Sequence, residues 1–162
     1  MPIYEASYNL GLAEEERVLP VLCDYFKRDI QKIPGRFAQH DFECADYVYE
    51  LKSRSNRLEC FADTVISADK FEGLAKPLVL VFSFTDCLCY IEYSEKKFEN
   101  YKKSLFGRLD RSSSEAKIHV HVPVGDLVKI REWLVKIDGG RRTAKKYRKC
   151  LEGDLFFSVD EV

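Results

Sequence analysis

The chain has 162 residues, a formal net charge of −1, 46% hydrophobic residues and 33% charged residues. This length suits one domain with a core of its own, and no apolar run approaches the roughly 20 residues that a membrane-spanning helix needs. The N-terminal segment lacks a basic region followed by an apolar stretch, and the six cysteines contain no CxxC pair. We therefore expect an intracellular protein with reduced thiols, neither secreted nor bound to a membrane.

Helical and extended patterns alternate along the chain. Apolar residues at steps of three and four predict a first helix, with Leu19, Leu22 and Phe26 on one face, and Pro34-Gly35 predicts the turn after it. The predicted elements are, in order, a helix over 12–30, strands over 36–43 and 47–54 joined by a very short loop, a helix over 67–75, strands over 78–84 and 87–93, a helix over 95–105, a strand over 117–122 and a helix over 125–137. Together they predict an α/β or α+β fold in which helices flank a central mixed sheet of about five strands.

The stretch HDFECADYVYELKSR, residues 40–54, places charged residues inside the predicted strand pair. With a turn centred on Ala45-Asp46, Asp41 lies directly opposite Glu50, with their Cβ atoms about 5 Å apart. Lys52 comes two residues after Glu50 and therefore projects from the same face. Two opposed carboxylates destabilise a plain sheet, whereas a divalent cation bound between them reverses that effect. The hairpin thus predicts a metal site.

Lys52 adds a cation beside the two carboxylates. A lysine ammonium in that position can orient a water or hold a phosphate oxygen, and metal, water and cation together are what phosphodiester hydrolysis requires. The pattern Glu-x-Lys occurs three times, beginning at Glu50, Glu95 and Glu115. The second copy lies in a predicted helix and the third follows a run of serines, so both are expected on a solvated surface. Only the first copy lies in a strand that faces an aspartate.

The pattern Asp-x8-Glu-x-Lys, on a strand pair that follows a helix, resembles the PD-(D/E)xK nuclease superfamily. The family core is a helix, a three-stranded meander, a second helix and a further strand, which is similar to the order predicted here up to residue 84. The proline that precedes the family aspartate is replaced by His40. The segment ADKFEGLAKPLVLVFSFTDCLCYIEY also resembles small nuclease-fold proteins of large DNA viruses and phages. The resemblance covers roughly residues 11–123; for a viral protein it implies the cytoplasm or nucleus of the host.

The resemblance implies a restriction-endonuclease-like core with Mg²⁺ or Mn²⁺ as the cofactor. Asp41 and Glu50 would coordinate the metal together with the carbonyl of Leu51, and Lys52 would position the attacking water. Lys70 matches the position where relatives place a Gln or Lys near the scissile phosphate. An ordinary exposed lysine is the alternative for Lys70.

Many family members also place a carboxylate from the first helix beside the metal. In this chain Glu15 falls on the apolar face of the predicted helix and Glu14 points to solvent. Glu16 flanks the apolar face and is the second candidate for the carboxylate beside the metal. A charged first turn that complements the helix dipole explains all three glutamates without catalysis.

Positive charge is concentrated in the second part of the chain. Residues 1–100 carry 12 Lys and Arg against 18 Asp and Glu, whereas residues 101–162 carry 14 against 9. Gly139-Gly140 opens the most basic stretch, so we divide the chain into a nuclease-like domain over 1–138 and a basic C-terminal extension over 139–162. The residues predicted to contact nucleic acid are Arg54, Arg108, Arg111, Arg141, Arg142, Lys145 and Lys146. For the basic run, an ordinary solvated segment is the alternative.

The sequence therefore predicts a metal-dependent endo- or exonuclease that acts on nucleic acid, with DNA favoured over RNA. The rival is a nucleic-acid-binding module that keeps the fold without cleaving, and a homodimer is left open. His119 and His121 alternate on one face of a strand but lack a third zinc ligand, and no Ser-His-Asp arrangement has local support.

Overall fold

The computed structural model of this chain describes residues 3–108, 116–133 and 156–161. Helix α1 spans Ile3–Phe26 and helix α2 spans Glu95–Phe98. Short 3₁₀ turns cover Leu58–Cys60, Ala68–Phe71 and Val124–Asp126. The strands are β1 (Gln31–Lys32), β2 (Phe42–Glu43), β3 (Val48–Ser53), β4 (Asp63–Ser67), β5 (Leu78–Ser83), β6 (Cys87–Glu92), β7 (Lys103–Arg108), β8 (Lys117–Pro123), β9 (Val128–Glu132) and β10 (Phe156–Glu161). Within these ranges, no helix is long and apolar enough to cross a bilayer.

The strands form two sheets. The first is mixed and has the order β1-β2-β3-β5-β6-β9, in which β3 and β5 are parallel and the other neighbours are antiparallel. The second is antiparallel and has the order β10-β7-β8-β4. The predicted α+β class with a mixed sheet is confirmed. The prediction of a single central sheet of about five strands flanked by helices is wrong, because the described strands form two sheets and the second sheet, rather than a helix, covers one face of the first.

Strand β5 lies at the centre of the core and is buried on both faces. Leu78, Leu80 and Phe82 belong to an apolar cluster shared with strands of the second sheet. Val79 and Val81 belong to a separate cluster shared with α1. Side chains alternate between the two faces of a strand, so an unbroken apolar run is what a strand between two covering layers requires. The prediction of a buried strand over 78–84, paired with the one that follows it, is confirmed.

Helix α1 is confirmed but differs from the prediction at both ends. It begins at Ile3 rather than at residue 12, and it ends at Phe26 rather than at residue 30. Lys27 has a φ of 54°, in the left-handed region that commonly ends a helix.

The predicted strand over 36–43 is wrong over most of its length. Only Phe42–Glu43 is extended, and it pairs with Gln31–Lys32 on the other side of a loop. Gly35 in this loop has a φ of 111°, which a residue with a side chain rarely adopts. The loop therefore turns the chain back on itself, and it brings residues 33–41 close to the hairpin.

Three predicted helices are also wrong over most of their length. Residues 67–75 contain a single turn that follows β4, and residues 95–105 contain the short α2 and the start of β7. Residues 128–132 form β9, while residues 134–137 lie outside the described ranges. Residues 103–105 and 128–132 pair with strands β8 and β6, and these ladder hydrogen bonds outweigh a weak local preference for helix, whereas in 67–75 only Ser67 belongs to a strand.

Part of the predicted C-terminal extension belongs to the second sheet. Residues Phe156–Glu161 form β10, which pairs with β7 through registers such as Phe157 opposite Gly107. Residues 139–155 lie outside the described ranges. The described strand thus attaches the end of the extension to the domain that precedes it.

Candidate functional site

The hairpin of β2 and β3 has the predicted register. Phe42 lies opposite Tyr49 and Glu43 lies opposite Val48, which confirms a turn centred on Ala45-Asp46. Asp41 comes just before the first paired residue of β2, and its N–H donates to the carbonyl of Tyr49 at 3.0 Å. The side chains of Asp41 and Glu50 are therefore brought to the same end of the hairpin.

The carboxylate of Glu50 is almost completely buried, with 1% of the residue exposed. Its Oε1 atom lies 2.6 Å from Nζ of Lys52 and 3.0 Å from Nζ of Lys70. Its Oε2 atom is buried and has no hydrogen-bond partner. Buried carboxylate oxygens are normally satisfied, since burying one without a partner costs free energy. Glu50 thus has one oxygen that two cations compensate and one buried oxygen without a hydrogen-bond partner.

Asp41 is the second carboxylate at this site. Its Oδ2 atom accepts a 2.7 Å hydrogen bond from the backbone N–H of Leu51. Burial, and to a smaller extent the negative charge of Glu50, raise the pKa of Asp41 from 3.8 to about 6, while the Leu51 N–H and Lys52 oppose this shift. The pair is therefore unfavourable when both groups are ionised and no cation is bound. At Leu51 the contact with the site is made by its N–H, whereas the prediction used its carbonyl.

Lys70 reaches this site from the 3₁₀ turn Ala68–Phe71, which follows β4. Besides Glu50, its ammonium donates to the carbonyl of Gln39 at 2.7 Å. The carbonyl of Lys70 lies 3.0 Å from Nε2 of His40, which must be the donor because a carbonyl only accepts. His40 is itself buried. Residues 39–40 and Lys70 are thus joined by two hydrogen bonds, one donated by the Lys70 ammonium and one by the His40 ring. These bonds hold the Lys70 side chain beside Glu50.

Glu15 lies beside Asp41 but on a different side of the sheet from Glu50. Glu50 pairs in register with Leu80, so its side chain projects towards the second sheet, whereas α1 covers the opposite face. Glu15 and Asp41 nevertheless line one cleft at the edge of the sheet. Glu15 is held there by an ion pair with Lys32, with 2.7 Å between Oε2 and Nζ.

Glu14 and Glu16 of α1 do not line this cleft. Glu14 was predicted to point to solvent, which is wrong: its carboxylate is mostly buried, accepts a hydrogen bond from the Ser83 hydroxyl and pairs with Arg17 at 2.6 Å. Glu16, the second candidate after Glu15, is exposed. Ser83 lies at the end of β5, and the wide separation of Glu14 and Ser83 in the chain hides this contact from the sequence.

The carboxylates at this site do not form a complete metal-binding set by themselves. Across the ranges that the structure describes, no group of three or more His, Cys, Asp or Glu side chains is arranged to hold a metal ion. A search of known protein families, of curated proteins and of solved structures found no match to this chain. The assignment of a role to these residues therefore depends on their geometry alone.

For most of the residues predicted to contact nucleic acid, the structure does not describe the side chain. Arg111, Arg141, Arg142, Lys145 and Lys146 are outside the described ranges, and Arg108 is described only as the last residue of β7. Arg54 is the exception, and its guanidinium is directed into the protein. It donates to the Thr64 hydroxyl at 2.8 Å and to the carbonyl of Val65, and so it links the end of β3 to β4.

Replacing Arg54 with Ala is expected to destabilise the fold, because it removes hydrogen bonds that join the two sheets. We expect the free energy of unfolding to fall by roughly 1–3 kcal/mol in urea denaturation. Arg57→Ala is the matched control, since Arg57 forms an exposed ion pair with Asp86 at 3.5 Å, and such pairs contribute about 0–1 kcal/mol. If Arg54→Ala is as stable as the wild type but binds DNA more weakly, Arg54 belongs to a nucleic-acid interface instead.

A second hydrogen-bonded cluster was missed in the sequence. His121 Nδ1 lies 3.1 Å from Oδ1 of Asp63, and His121 Nε2 lies 2.6 Å from the Ser104 hydroxyl. This is the order of a Ser-His-Asp relay, and Ser104, which is 3% exposed, is enclosed between the strands. The cluster therefore joins β4, β8 and β7. The three residues come from separate strands, so only the strand order and register could have revealed it.

Proposed function

We propose that this chain is a metal-dependent nuclease that hydrolyses phosphodiester bonds, with DNA as the favoured substrate. The observation that carries the proposal is the pairing of Glu50 with Asp41. One oxygen of Glu50 is buried without a partner, and the neighbouring Asp41 resists ionisation. A divalent cation would satisfy the unpartnered oxygen and favour the ionised form of Asp41.

Asp41 and Glu50 are the residues that would hold Mg²⁺ or Mn²⁺. Magnesium is commonly bound through one or two carboxylates, with waters and substrate phosphates as its remaining ligands, so two carboxylates are a sufficient protein contribution. When bound, such an ion neutralises charge on the phosphate and lowers the pKa of a bound water. Glu15, which lines the adjoining cleft together with Asp41, would add a third negative charge near the metal.

The two lysines would act on the substrate rather than on the metal. The Lys52 and Lys70 ammonium groups both lie within 3.0 Å of Glu50 Oε1, and each side chain is about a quarter exposed. A phosphate that approaches Glu50 therefore meets two cations that are already desolvated in part. Lys52 would orient the attacking water, and Lys70 would hold a phosphate oxygen.

The proposal includes a core of the restriction-endonuclease type. What supports it is the order of helix α1, the β2–β3 hairpin, a connection and the parallel strand β5, with the acidic residues at the end of the hairpin. The chain departs from that type in the connection, where β4 and a single turn stand in place of a second helix. Lys70 lies in that turn, so its role depends on this departure.

A nucleic-acid-binding module is the second candidate. It is favoured by the charge balance of the site without a metal, since Lys52 and Lys70 compensate Glu50 and Lys32 compensates Glu15. A binding module would use the same lysines for phosphate contacts and would need no cation. The two candidates differ in their need for a divalent ion.

Cleavage of a mixed set of DNA and RNA substrates, with Mg²⁺, Mn²⁺ or EDTA, separates these candidates. The nuclease is expected to cut with Mg²⁺ or Mn²⁺ and to be inactive in EDTA, and Glu50→Gln is expected to abolish cutting. Glu43→Gln is the matched control, because Glu43 lies on the same hairpin, is half-exposed and pairs with Lys76 at 3.3 Å. Binding of nucleic acid without cleavage under every metal condition, together with no heat of Mn²⁺ binding by calorimetry, would identify a binding module.

A further inference from the structure

A cleft of about 210 Å³ adjoins Asp41 at the edge of the first sheet. One wall is formed by Tyr8 and Leu12 of α1, and the other by Ile33 and Ala38 of the loop between β1 and β2. This volume is smaller than the pockets that hold drug-sized ligands. Its size and its partly apolar walls suit a single flat ring system.

Polar groups are distributed around this cleft in two sets. The carboxylates of Asp41 and Glu15 line it and can accept hydrogen bonds from amino groups. Lys32 and Arg36 also line it; Lys32 is paired with Glu15, and a phosphate attached to the ring that enters would share its ammonium with that carboxylate. The lining therefore has acceptors, cations and an aromatic ring, which are the groups that recognise a nucleotide.

Two exposed aromatic side chains belong to the rim of the cleft, by which we mean exposed residues that line it or adjoin its lining: Tyr8 lines the cleft, and Phe37 lies in the chain between Arg36 and Ala38, which line it. Phe37 is 92% exposed and Tyr8 is 38% exposed. The Arg36 guanidinium lies 4.9 Å from the centre of the Tyr8 ring, so the rim already contains one stacked pair of flat groups. Gly35, with its φ of 111°, lets the loop turn so that Arg36 and Ala38 line the cleft while Phe37 between them projects outwards. The exposed Phe37 ring is therefore accessible to a flat group that extends out of the cleft.

We propose that this cleft binds an unpaired nucleobase of the strand whose phosphate enters the site at Glu50, so that the preferred substrate is single-stranded or locally unpaired nucleic acid. The inference rests on the proposed function to the extent that the partner is nucleic acid. In a duplex both faces of each base are covered by neighbouring bases, so a base can stack on Phe37 or Tyr8 only when it has left the helix. Stacking of this kind tolerates every base, since each has a flat face.

The inference is tested by fluorescence anisotropy in EDTA, with a labelled single strand and a hairpin duplex of the same composition as probes. Phe37→Ala and Tyr8→Ala are each expected to weaken single-strand binding by about 5- to 150-fold and to change duplex binding by less than about twofold. Phe37→Trp and Tyr8→Phe keep a flat ring and are expected to retain single-strand affinity. Leu10→Ala is the matched control, because Leu10 is 73% exposed on the same helix as Tyr8, and neither Leu10 nor the residue on either side of it lines the cleft.

The outcomes separate this inference from the proposed function. If the wild type binds the duplex as tightly as the single strand, or if Phe37→Ala and Tyr8→Ala both bind single strands like the wild type, the inference is overturned. Metal-dependent cleavage of a duplex by those same variants would then leave the nuclease proposal in place. A selective loss of single-strand binding in a protein that cleaves nothing would support the cleft as a base-binding site and overturn the nuclease proposal. Thermal unfolding of each variant checks that a loss of affinity is not a loss of fold.

Discussion

Replacing Asp41 with Asn is expected to stabilise the metal-free protein at neutral and alkaline pH while abolishing metal-dependent cleavage. Burial and the charge of Glu50 raise the pKa of Asp41 to about 6, so ionising it in the folded state costs more than in the unfolded chain. Asn removes that cost and keeps an oxygen that can accept the Leu51 N–H. A shift from 3.8 to about 6 corresponds to about 3 kcal/mol at most, and we expect a gain of about 1–3 kcal/mol near pH 8.

The pH dependence of this gain has a definite sign. Because the folded-state pKa of Asp41 is raised, the folded protein holds the proton more tightly, and the contribution of Asp41 to stability is fully present below 3.8 and is lost as the pH rises through about 6. Asp41→Asn has no proton to lose. The difference between the two proteins should therefore be small below about pH 4, should grow between about pH 4 and 6, and should be constant above that range.

Urea denaturation in EDTA at several pH values measures this difference. Asp24→Asn is the matched control, because Asp24 is exposed and its pKa is lowered by Lys27, so its replacement should not stabilise the protein at any pH. Added Mn²⁺ should stabilise the wild type and leave Asp41→Asn nearly unchanged. If the Asp41→Asn variant is less stable than the wild type near pH 8, Asp41 stabilises the fold, and the repulsion between Asp41 and Glu50 does not destabilise the metal-free protein.

Replacing Lys52 with Ala is expected to lower the turnover number by about 10²–10⁴-fold, the range typical for the loss of a group that acts on a proton or a water in the transition state. Mn²⁺ binding should be retained or become tighter, because the ammonium 2.6 Å from Glu50 Oε1 no longer competes with the ion. The Lys70→Ala variant should also bind Mn²⁺. In addition to a lower turnover number, it should show a weaker affinity for the substrate, since Lys70 is proposed to hold a phosphate oxygen.

Single-turnover kinetics and calorimetry with Mn²⁺ distinguish these effects. Lys76→Ala is the matched control, because Lys76 pairs with Glu43 on the same hairpin and lies away from Glu50. Wild-type turnover in Lys52→Ala would remove this lysine from the proposed mechanism. Loss of Mn²⁺ binding in the same variant would show instead that Lys52 maintains the geometry of Glu50.

Features that depend on neighbouring residues could be predicted from the sequence. The short turn at Ala45-Asp46 sets the register of the β2–β3 hairpin and therefore brings Asp41 and Glu50 together. The uninterrupted apolar run of β5 requires a strand that is covered on both faces, and the turn at Thr85-Asp86 pairs it with β6. Both features are contained within a few residues, so the local pattern is enough to define them.

Contacts between distant segments were decided by the tertiary structure. Lys52 and Lys70 meet on one oxygen of Glu50 because β4 joins the second sheet and returns the chain to the hairpin. The predicted helices over 95–105 and 125–137 failed for the same reason, since sheet edges elsewhere in the fold offered residues 103–105 and 128–132 ladder hydrogen bonds. In the predicted helix over 67–75 only Ser67 is paired with a strand, and residues 68–71 form a single turn. By itself, the sequence determined the hairpin with its two carboxylates and the buried strand beside it. Only the tertiary structure decided which cations and which cleft surround those carboxylates, because long-range pairing energy, and not local preference, selects among the arrangements that a short segment can adopt.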